Sequence, residues 1–246
     1  RIVVGSYQTS SVPVGEVRVY DWNGSAWTQI GNTITGPQSS PTQGYFGREV
    51  AISGNGQIIA VSGDLEDPDG NTDRGVVRVL YLNGGAWTVL ADSGSETVNI
   101  GTGTAAFRND VFVGSANTDQ LGTVINLSYD GKTILMTAVN YDDSTNGTDA
   151  GQARVYTYSN GAWSKKGDFL IGGLNEHLGY SANMSDDGNC IILGGHNGTD
   201  DNAWIYIWNG STWVNRGASG TNPAFTRTDQ DAFGQSVAIN NDGTVV

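Results

Sequence analysis

Cysteine is nearly missing from this chain: of 246 residues only Cys190 carries a thiol. An intrachain disulfide framework is therefore excluded, although a chain this long can bury enough core to fold without one. Charge is scarce as well. Asp, Glu, Lys and Arg together make 15% of the residues, against roughly 25% in ordinary globular domains. Basic residues number 12 beside 25 acidic ones, for a formal net charge of -13, and no basic cluster exceeds the pair Lys165 and Lys166. Nucleic-acid binding, which relies on neutralising phosphates, is disfavoured. No apolar run of about 18 residues could cross a membrane as a helix, and no basic-then-apolar signal segment opens the chain, so direct membrane insertion is not expected. The chain begins at Arg1 inside the strand-like Ile2-Val3-Val4 and ends in Val245-Val246, which reads as a piece of a longer protein.

Glycine and aromatics are plentiful instead: 36 Gly, 7 Trp and 10 Tyr, within a 37% hydrophobic content that argues against disorder. They are spaced regularly. One phrase occurs four times, as "VRVYDWNGSAW" (17–27), "VRVLYLNGGAW" (77–87), "ARVYTYSNGAW" (153–163) and "WIYIWNGSTW" (204–213). Each is an alternating run, an Asn/Gly turn and a Trp that starts a second strand, the signature of a tight hairpin whose turn needs positive φ.

A second phrase completes each unit: "FGREVAISGNGQIIAVSG" (46–63), "LGTVINLSYDGKTILMTAV" (121–139), "LGYSANMSDDGNCIILGG" (178–195) and "FGQSVAINNDGTVV" (233–246). The opening "RIVVGS" matches its second strand. Four units of four antiparallel strands follow, over 232–246 plus 1–31, 45–92, 119–168 and 177–217. Residues 97–118, with "FVGSANTD" like "VVGSYQTS", read as an extra hairpin and a partial fifth unit. The expected fold is all-β, a β-propeller of four-stranded blades, whose ring closes within this chain or forms part of a larger ring.

These units resemble FG-GAP-type repeats, as in the integrin α-subunit propeller and in bacterial surface and secreted proteins. Phe46-Gly47 and Phe233-Gly234 carry the resemblance, with Leu121-Gly122 and Leu178-Gly179 as variants. The second element, "VGSY" (4–7), "VSGD" (61–64), "VGSA" (113–116) and "LGGH" (193–196), lacks the family's Pro. The resemblance implies Ca²⁺ in the loop between second and third strands. In "DLEDPDGNTDRG" (64–75) the implied ligands are Asp67, Asp69, Asn71 and Asp73, with Leu65 at the first ligand place, which cannot coordinate. In "DDSTNGTDAG" (142–151) they are Asp142, Asn146 and Asp149. Oxygen ligands crowded on a Gly-bearing turn suit Ca²⁺, and Asp and Asn are equally at home in any turn.

Residues that recur at one place in every unit hold the fold rather than react. Arg18, Arg78 and Arg154, with Trp204 in the fourth place, are expected to pack on aromatic faces or bridge blades, and Trp27, Trp87, Trp163 and Trp213 to be structural. His177, His196 and Cys190 form no metal or nucleophile signature, and Cys190 reads as a buried small hydrophobe. The acidic pairs Asp142-Asp143, Asp186-Asp187 and Asp200-Asp201 are the candidates for acid–base chemistry, but neighbours in a strand point to opposite faces. Of six Asn-x-Ser/Thr triplets, at Asn23, Asn126, Asn146, Asn183, Asn197 and Asn209, the first and last lie in the hairpin turn, which already explains them. The expected function is non-enzymatic recognition or adhesion outside the cell, at a microbial or virion surface. A protein or glycan partner would be bound by loops 6–15, 64–75, 140–151 and 196–203. The alternatives are a carbohydrate-active enzyme using a central channel and a self-assembling structural subunit.

Overall fold

The computed structural model describes residues 1–7, 15–37, 44–67, 72–89, 111–196, 201–217, 224–227 and 233–246. Among them there is no helix, and the strands form four antiparallel sheets. The first contains β1 (Ile2–Ser6), β2 (Glu16–Trp22) and β3 (Trp27–Thr35). The second contains β4 (Val50–Ile52), β5 (Ile58–Gly63), β6 (Val76–Asn83), β7 (Ala86–Val89) and β8 (Val111–Val113). The third runs through β9 (Leu121–Leu127), β10 (Thr133–Ala138), β11 (Gln152–Ser159), β12 (Ala162–Lys165) and β13 (Leu170–Ile171). The fourth consists of β14 (Ser181–Met184), β15 (Cys190–Gly195), β16 (Asp201–Trp208), β17 (Trp213–Asn215) and β18 (Phe225–Arg227).

Each sheet is ordered as its chain runs, because hairpin follows hairpin. The turns explain this locally. Asn23 and Asn209 each accept two backbone N–H groups two and three residues on, at 2.9 Å, which closes the repeated hairpin with a side-chain oxygen. In the other turn, Ser53, Ser128 and Ser185 hydroxyls donate to Asn55, Asp130 and Asp187 and accept the N–H of the residue that starts the next strand. The "SYDGKT" and "SDDGNC" phrases are thus structural turns.

The outer strand is broken in three sheets. In the third, β12 pairs one end of β11 and β13 the other; β17 and β18 divide β16 in the same way, and β7 and β8 divide β6. Val111–Val113 therefore completes the edge of the second sheet instead of opening a further unit, since its partners are Val76–Arg78. The rest of the expected extra hairpin, up to residue 110, lies outside the described residues.

Three apolar cores separate the four sheets. Val17, Val19 and Ile34 face Ile59, Val61, Leu80 and Trp87; Ala60, Val77 and Val79 face Leu121, Ile125, Ile134 and Met136; Leu135, Ala153 and Val155 face Leu178, Met184, Ile191 and Leu193. Strand alternation sends odd and even residues to opposite neighbours, so the two inner sheets are buried on both faces.

The Gly of each Phe-Gly or Leu-Gly element sits at a junction. Gly47, Gly122, Gly179 and Gly234 have φ of 84°, 97°, 92° and 82°, and their backbones press on the preceding sheet: a Cβ on Gly122 would stand 2.6 Å from Ser62, and one on Gly179 2.7 Å from Thr137. At the other end of the sheets the Ser-bearing turns are joined by backbone bonds, Asn55 N–H to Tyr129 O, Tyr129 N–H to Asp186 O and Asp186 N–H to Asn241 O. Residues 233–246 thus lie on the fourth sheet as the next unit would.

Tryptophan closes the junctions at the periphery. The Trp87 indole donates to Ile30 O at 3.1 Å and covers Gly31, where a Cβ would approach within 2.6 Å; the Trp213 indole donates to Lys166 O at 2.7 Å and covers Gly167. Trp27, expected to be structural like these, is instead 49% exposed beside Trp22, because no described sheet lies against that face.

The repeated arginines differ with position. Arg78 makes a two-pronged pair with Glu66 and lies over the Phe46 ring, while Arg154 lies over Phe169 and reaches Val113 and Ser115 of the preceding unit. Trp204 donates its indole N–H to Glu176 in the fourth sheet. Arg18, on the open face of the first sheet, pairs with Glu16 at 2.5 Å.

Candidate functional site

The loops that leave the second strand of each sheet emerge at the end where the Phe-Gly turns lie, since Gly47 N–H donates to Ser62 O and Gly179 N–H to Gly194 O. Two are closed by the same device. Asp67 Oδ1 accepts the Asp73 N–H at 2.6 Å, and Asp142 Oδ1 accepts the Asp149 N–H at 2.8 Å. Asp73 and Asp149 both have φ of 49°, and their carbonyls accept N–H groups from Gln120 and His177, stitching each loop to the entry of the next sheet.

Much of the acidic pattern is thereby engaged in loop closure. Asp143 accepts the N–H groups of Thr145 and Asn146, and among the described residues no three acidic, His or Cys side chains converge as a metal set. Of the 142–151 residues implied as ligands, Asp142 is engaged in closing the loop onto the Asp149 N–H, and Asn146 donates its N–H to Asp143. In the 64–75 loop Asp67 and Asp73 lie close enough that, after burial, the charge of Asp67 is what raises the Asp73 pKa, while Asp69 and Asn71 lie outside the described residues.

The positions that break the repeat gather on this rim. Tyr7, Asp64, Val139 and His196 occupy one equivalent place just past the second strand, and Arg48, Thr123, Tyr180 and Gln235 another, just past the Phe-Gly or Leu-Gly turn. In the second unit these two places meet. Arg48 Nη1 lies 2.5 Å from Asp64 Oδ2 and the guanidinium is 5.7 Å from the centre of the Tyr45 ring, which in turn packs on Tyr7 at 5.4 Å. Tyr7 is 48% exposed whereas Asp64 is buried, and Asp64 Oδ1 finds no hydrogen-bond partner among the described residues.

Burial pushes the Asp64 carboxyl up to about 6 against the opposing charge of Arg48, and pushes neighbouring Glu49 up to about 7. In the fourth unit Tyr180 packs edge-on against His196 at 5.3 Å, and His196 Nδ1 is 2.9 Å from buried Asp201. His177 Nδ1 is 3.3 Å from Val139 O.

Sequence reasoning did not single out Arg48, Glu49, Asp64 or Tyr45. The available signal was the departure of these positions from their equivalents in the other units. Of the acidic pairs, Asp187 is held by Ser185 and Asn189 in its turn, Asp200 lies outside the described residues, and Asp201 faces inward. Cys190 is buried, its thiol pKa raised by that burial and then by the nearby Asp187 charge.

No family model and no curated protein matches this chain. Among solved structures, TolB from Acinetobacter baumannii superposes with a TM-score of 0.51 at 14% identity, over 98% of this chain and 45% of that one. The chain is a β-propeller fold. A putative 6-phosphogluconolactonase from Bacteroides uniformis is similar at TM-score 0.46 and 13% identity, covering 87% of this chain and 51% of that one. The Pseudomonas aeruginosa periplasmic gluconolactonase PpgL is similar at 0.46 and 13%, covering 84% and 49%. This propeller chain thus spans about half the length of these structures, and the likeness concerns the fold alone.

Proposed function

We propose that this propeller chain is a non-enzymatic recognition module that works outside the cytoplasm, at a cell or virion surface, and takes a protein or neutral glycan on its variable rim. The observation that supports this reading is the Tyr7–Tyr45–Arg48–Asp64 cluster. The exposed Tyr7 ring, backed by half-buried Tyr45 and beside the Arg48 guanidinium, can stack on a sugar or an apolar side chain while the guanidinium hydrogen-bonds its edge. Equivalent places elsewhere on the rim carry different groups, as expected where scaffold is kept and loops vary. With a net charge of -13, a polyanionic ligand is disfavoured.

A glycan array and a cross-linking pull-down with the purified chain test the reading. Binding that Tyr7→Ala and Arg48→Ala each weaken at least about tenfold, the loss of roughly 1.4 kcal/mol, supports it, and binding indifferent to both variants overturns it. Calcium at the 64–75 loop belongs to the same proposal: Asp67 and Asp73 would hold it, and titration calorimetry with Ca²⁺ on Asp73→Asn against the parent chain tests it. A second reading, a carbohydrate-active hydrolase, draws on Glu49 and Asp64, whose pKa values near neutrality suit acid–base work. Chromogenic glycosides turned over by the parent chain and not by Glu49→Gln would favour it.

A further inference from the structure

Charge is divided between the two ends of the sheets. The chain has three lysines, Lys132, Lys165 and Lys166, and none lies on the rim. Lys132 belongs to a Ser-bearing turn at the opposite end, and Lys166, beside Lys165, reaches that end too, donating to Gly188 O at 2.6 Å and to Asn189 Oδ1 at 2.8 Å. The arginines that stand toward the rim are engaged within the chain. Arg18 pairs with Glu16, Arg48 with Asp64 and Arg78 with Glu66, while Arg74 donates to Gly114 O and buried Arg154 to Gln152, Val113 and Ser115.

Carboxyl groups are left over. Among the described residues none of Glu49, Asp73, Asp142, Asp143 and Asp149 has a basic partner. The groups that Asp142 and Asp143 accept are backbone N–H, which close the loop without cancelling its charge. Asp64 is 1% exposed; Arg48 holds its Oδ2, but its Oδ1 finds no donor among the described residues. A buried acceptor in that state calls for a donor that the described chain does not supply.

These carboxyls also act on one another. After burial, and against the charge of Arg48, Asp64 pushes Glu49 up, and Asp73 in turn pushes Asp64 up. A cation brought to the rim relieves that repulsion.

We infer that the partner of this rim is a protein presenting a Lys- or Arg-rich segment, whose cations seat among Glu49, Asp64, Asp73 and the 142–149 loop. Such a partner is a narrower case of the recognition reading, on which it rests: a basic polypeptide in place of any protein or neutral glycan. A lysine suits the place in reach as well as in charge, because its ammonium carries three donors at the end of a flexible stem. The lysines at the opposite end make that end the poorer target, so the same division of charge orients the encounter.

Fluorescein-labelled octalysine, followed by anisotropy in calcium-free buffer at about pH 8, where the rim carboxyls are ionised, is the probe. The parent chain is expected to bind it at about 20 mM NaCl and at least about tenfold more weakly at about 200 mM, as the screening length falls from about 20 to about 7 Å. Two double variants then remove the same charge from opposite ends. Asp73→Asn with Asp142→Asn acts on the rim, and keeps both the Oδ1 that closes the 142–149 loop and a residue type that accepts the φ of 49° at position 73. Asp130→Asn with Asp187→Asn acts on the Ser-bearing turns, where Asn55 already serves in the equivalent place. With circular dichroism unchanged, the rim pair is expected to weaken octalysine at least about tenfold and the other pair less than about twofold. Equal losses would assign the attraction to net charge and overturn the inference, as would a parent chain indifferent to octalysine. The recognition reading fails separately, when Tyr7→Ala and Arg48→Ala both leave capture on the glycan array and in the pull-down untouched. Tyr7- and Arg48-dependent capture of a neutral glycan, with no octalysine bound, overturns the basic partner alone.

Discussion

The Arg154 guanidinium leaves its own sheet and ends in the preceding unit, 2.7 Å from Ser115 Oγ and 3.1 Å from Val113 O. It is buried, as is Asp119, whose carboxylate lies 4.0 Å away and accepts the N–H groups of Ser115 and Ala116. Desolvation lowers the arginine pKa and raises that of the aspartate, and the aspartate charge is held first by the Ala116 and Ser115 N–H groups and then by Arg154. Arg154→Met is expected to destabilise the chain by about 3–5 kcal/mol, the usual result of removing one partner from a buried pair. Urea unfolding measures it, and a cost below about 1 kcal/mol would remove Arg154 from any bridging role.

How far the sequence was legible follows from the range of each interaction. The hairpin turns are decided within four or five residues, by Asn23 and Asn209 oxygens and by Gly at positive φ, so the repeat could be read directly. The contribution of Arg154 could be anticipated in kind because equivalence marks a structural role. The Arg48–Asp64 pair could not: it joins two turns 16 residues apart and exists in one unit only. Similarly, Val111–Val113 resembled the start of a unit by composition, and only the register on Val76–Arg78 assigns it to the outer edge of the second sheet.

The Leu-Gly element makes a sharp prediction at Gly179. Its φ is 92°, its carbonyl accepts the Thr137 hydroxyl at 2.9 Å, and a Cβ would stand 2.7 Å from Thr137 side-chain carbon. Gly179→Ala should cost about 2–4 kcal/mol, from the left-handed backbone and the forced separation of the third and fourth sheets. Combining it with Thr137→Gly should recover part of the loss, because the clash is with both the Cβ and the Cγ2 of that side chain, each 2.7 Å away. Additive losses in a double-mutant cycle would show that the contact is not the cause.

The junction tryptophans are not equivalent. Trp213 donates its indole N–H to Lys166 O, but the Trp163 indole nitrogen is buried and finds no acceptor among the described residues. Trp213→Phe should therefore lose a bond worth about 1 kcal/mol and strand a carbonyl, beyond the loss of ring volume, whereas Trp163→Phe removes an unsatisfied donor. The first variant should melt measurably below the second. Equal melting temperatures would mean that the indole bond contributes nothing to the latch.

The carboxyls of the rim bear on pH. In the folded chain Glu49 is raised to about 7 and Asp64 to about 6, both first by burial, while in the unfolded chain each returns to the ordinary value near 4. Between about pH 4 and pH 7 the folded state therefore holds protons that the unfolded state has released, and stability falls as pH rises through that window. Thermal melts are expected to show a higher Tm near pH 5 than near pH 8. The general acidity of the chain, with its net charge of -13, acts in the same direction, so the slope alone does not identify the groups. Glu49→Gln and Asp64→Asn do, because an uncharged side chain of the same shape carries no desolvation cost at neutral pH. Each variant should flatten the dependence above about pH 5, Glu49→Gln more strongly near pH 7. An unchanged slope in both would assign the pH response to net repulsion and leave the rim carboxyls with ordinary titration.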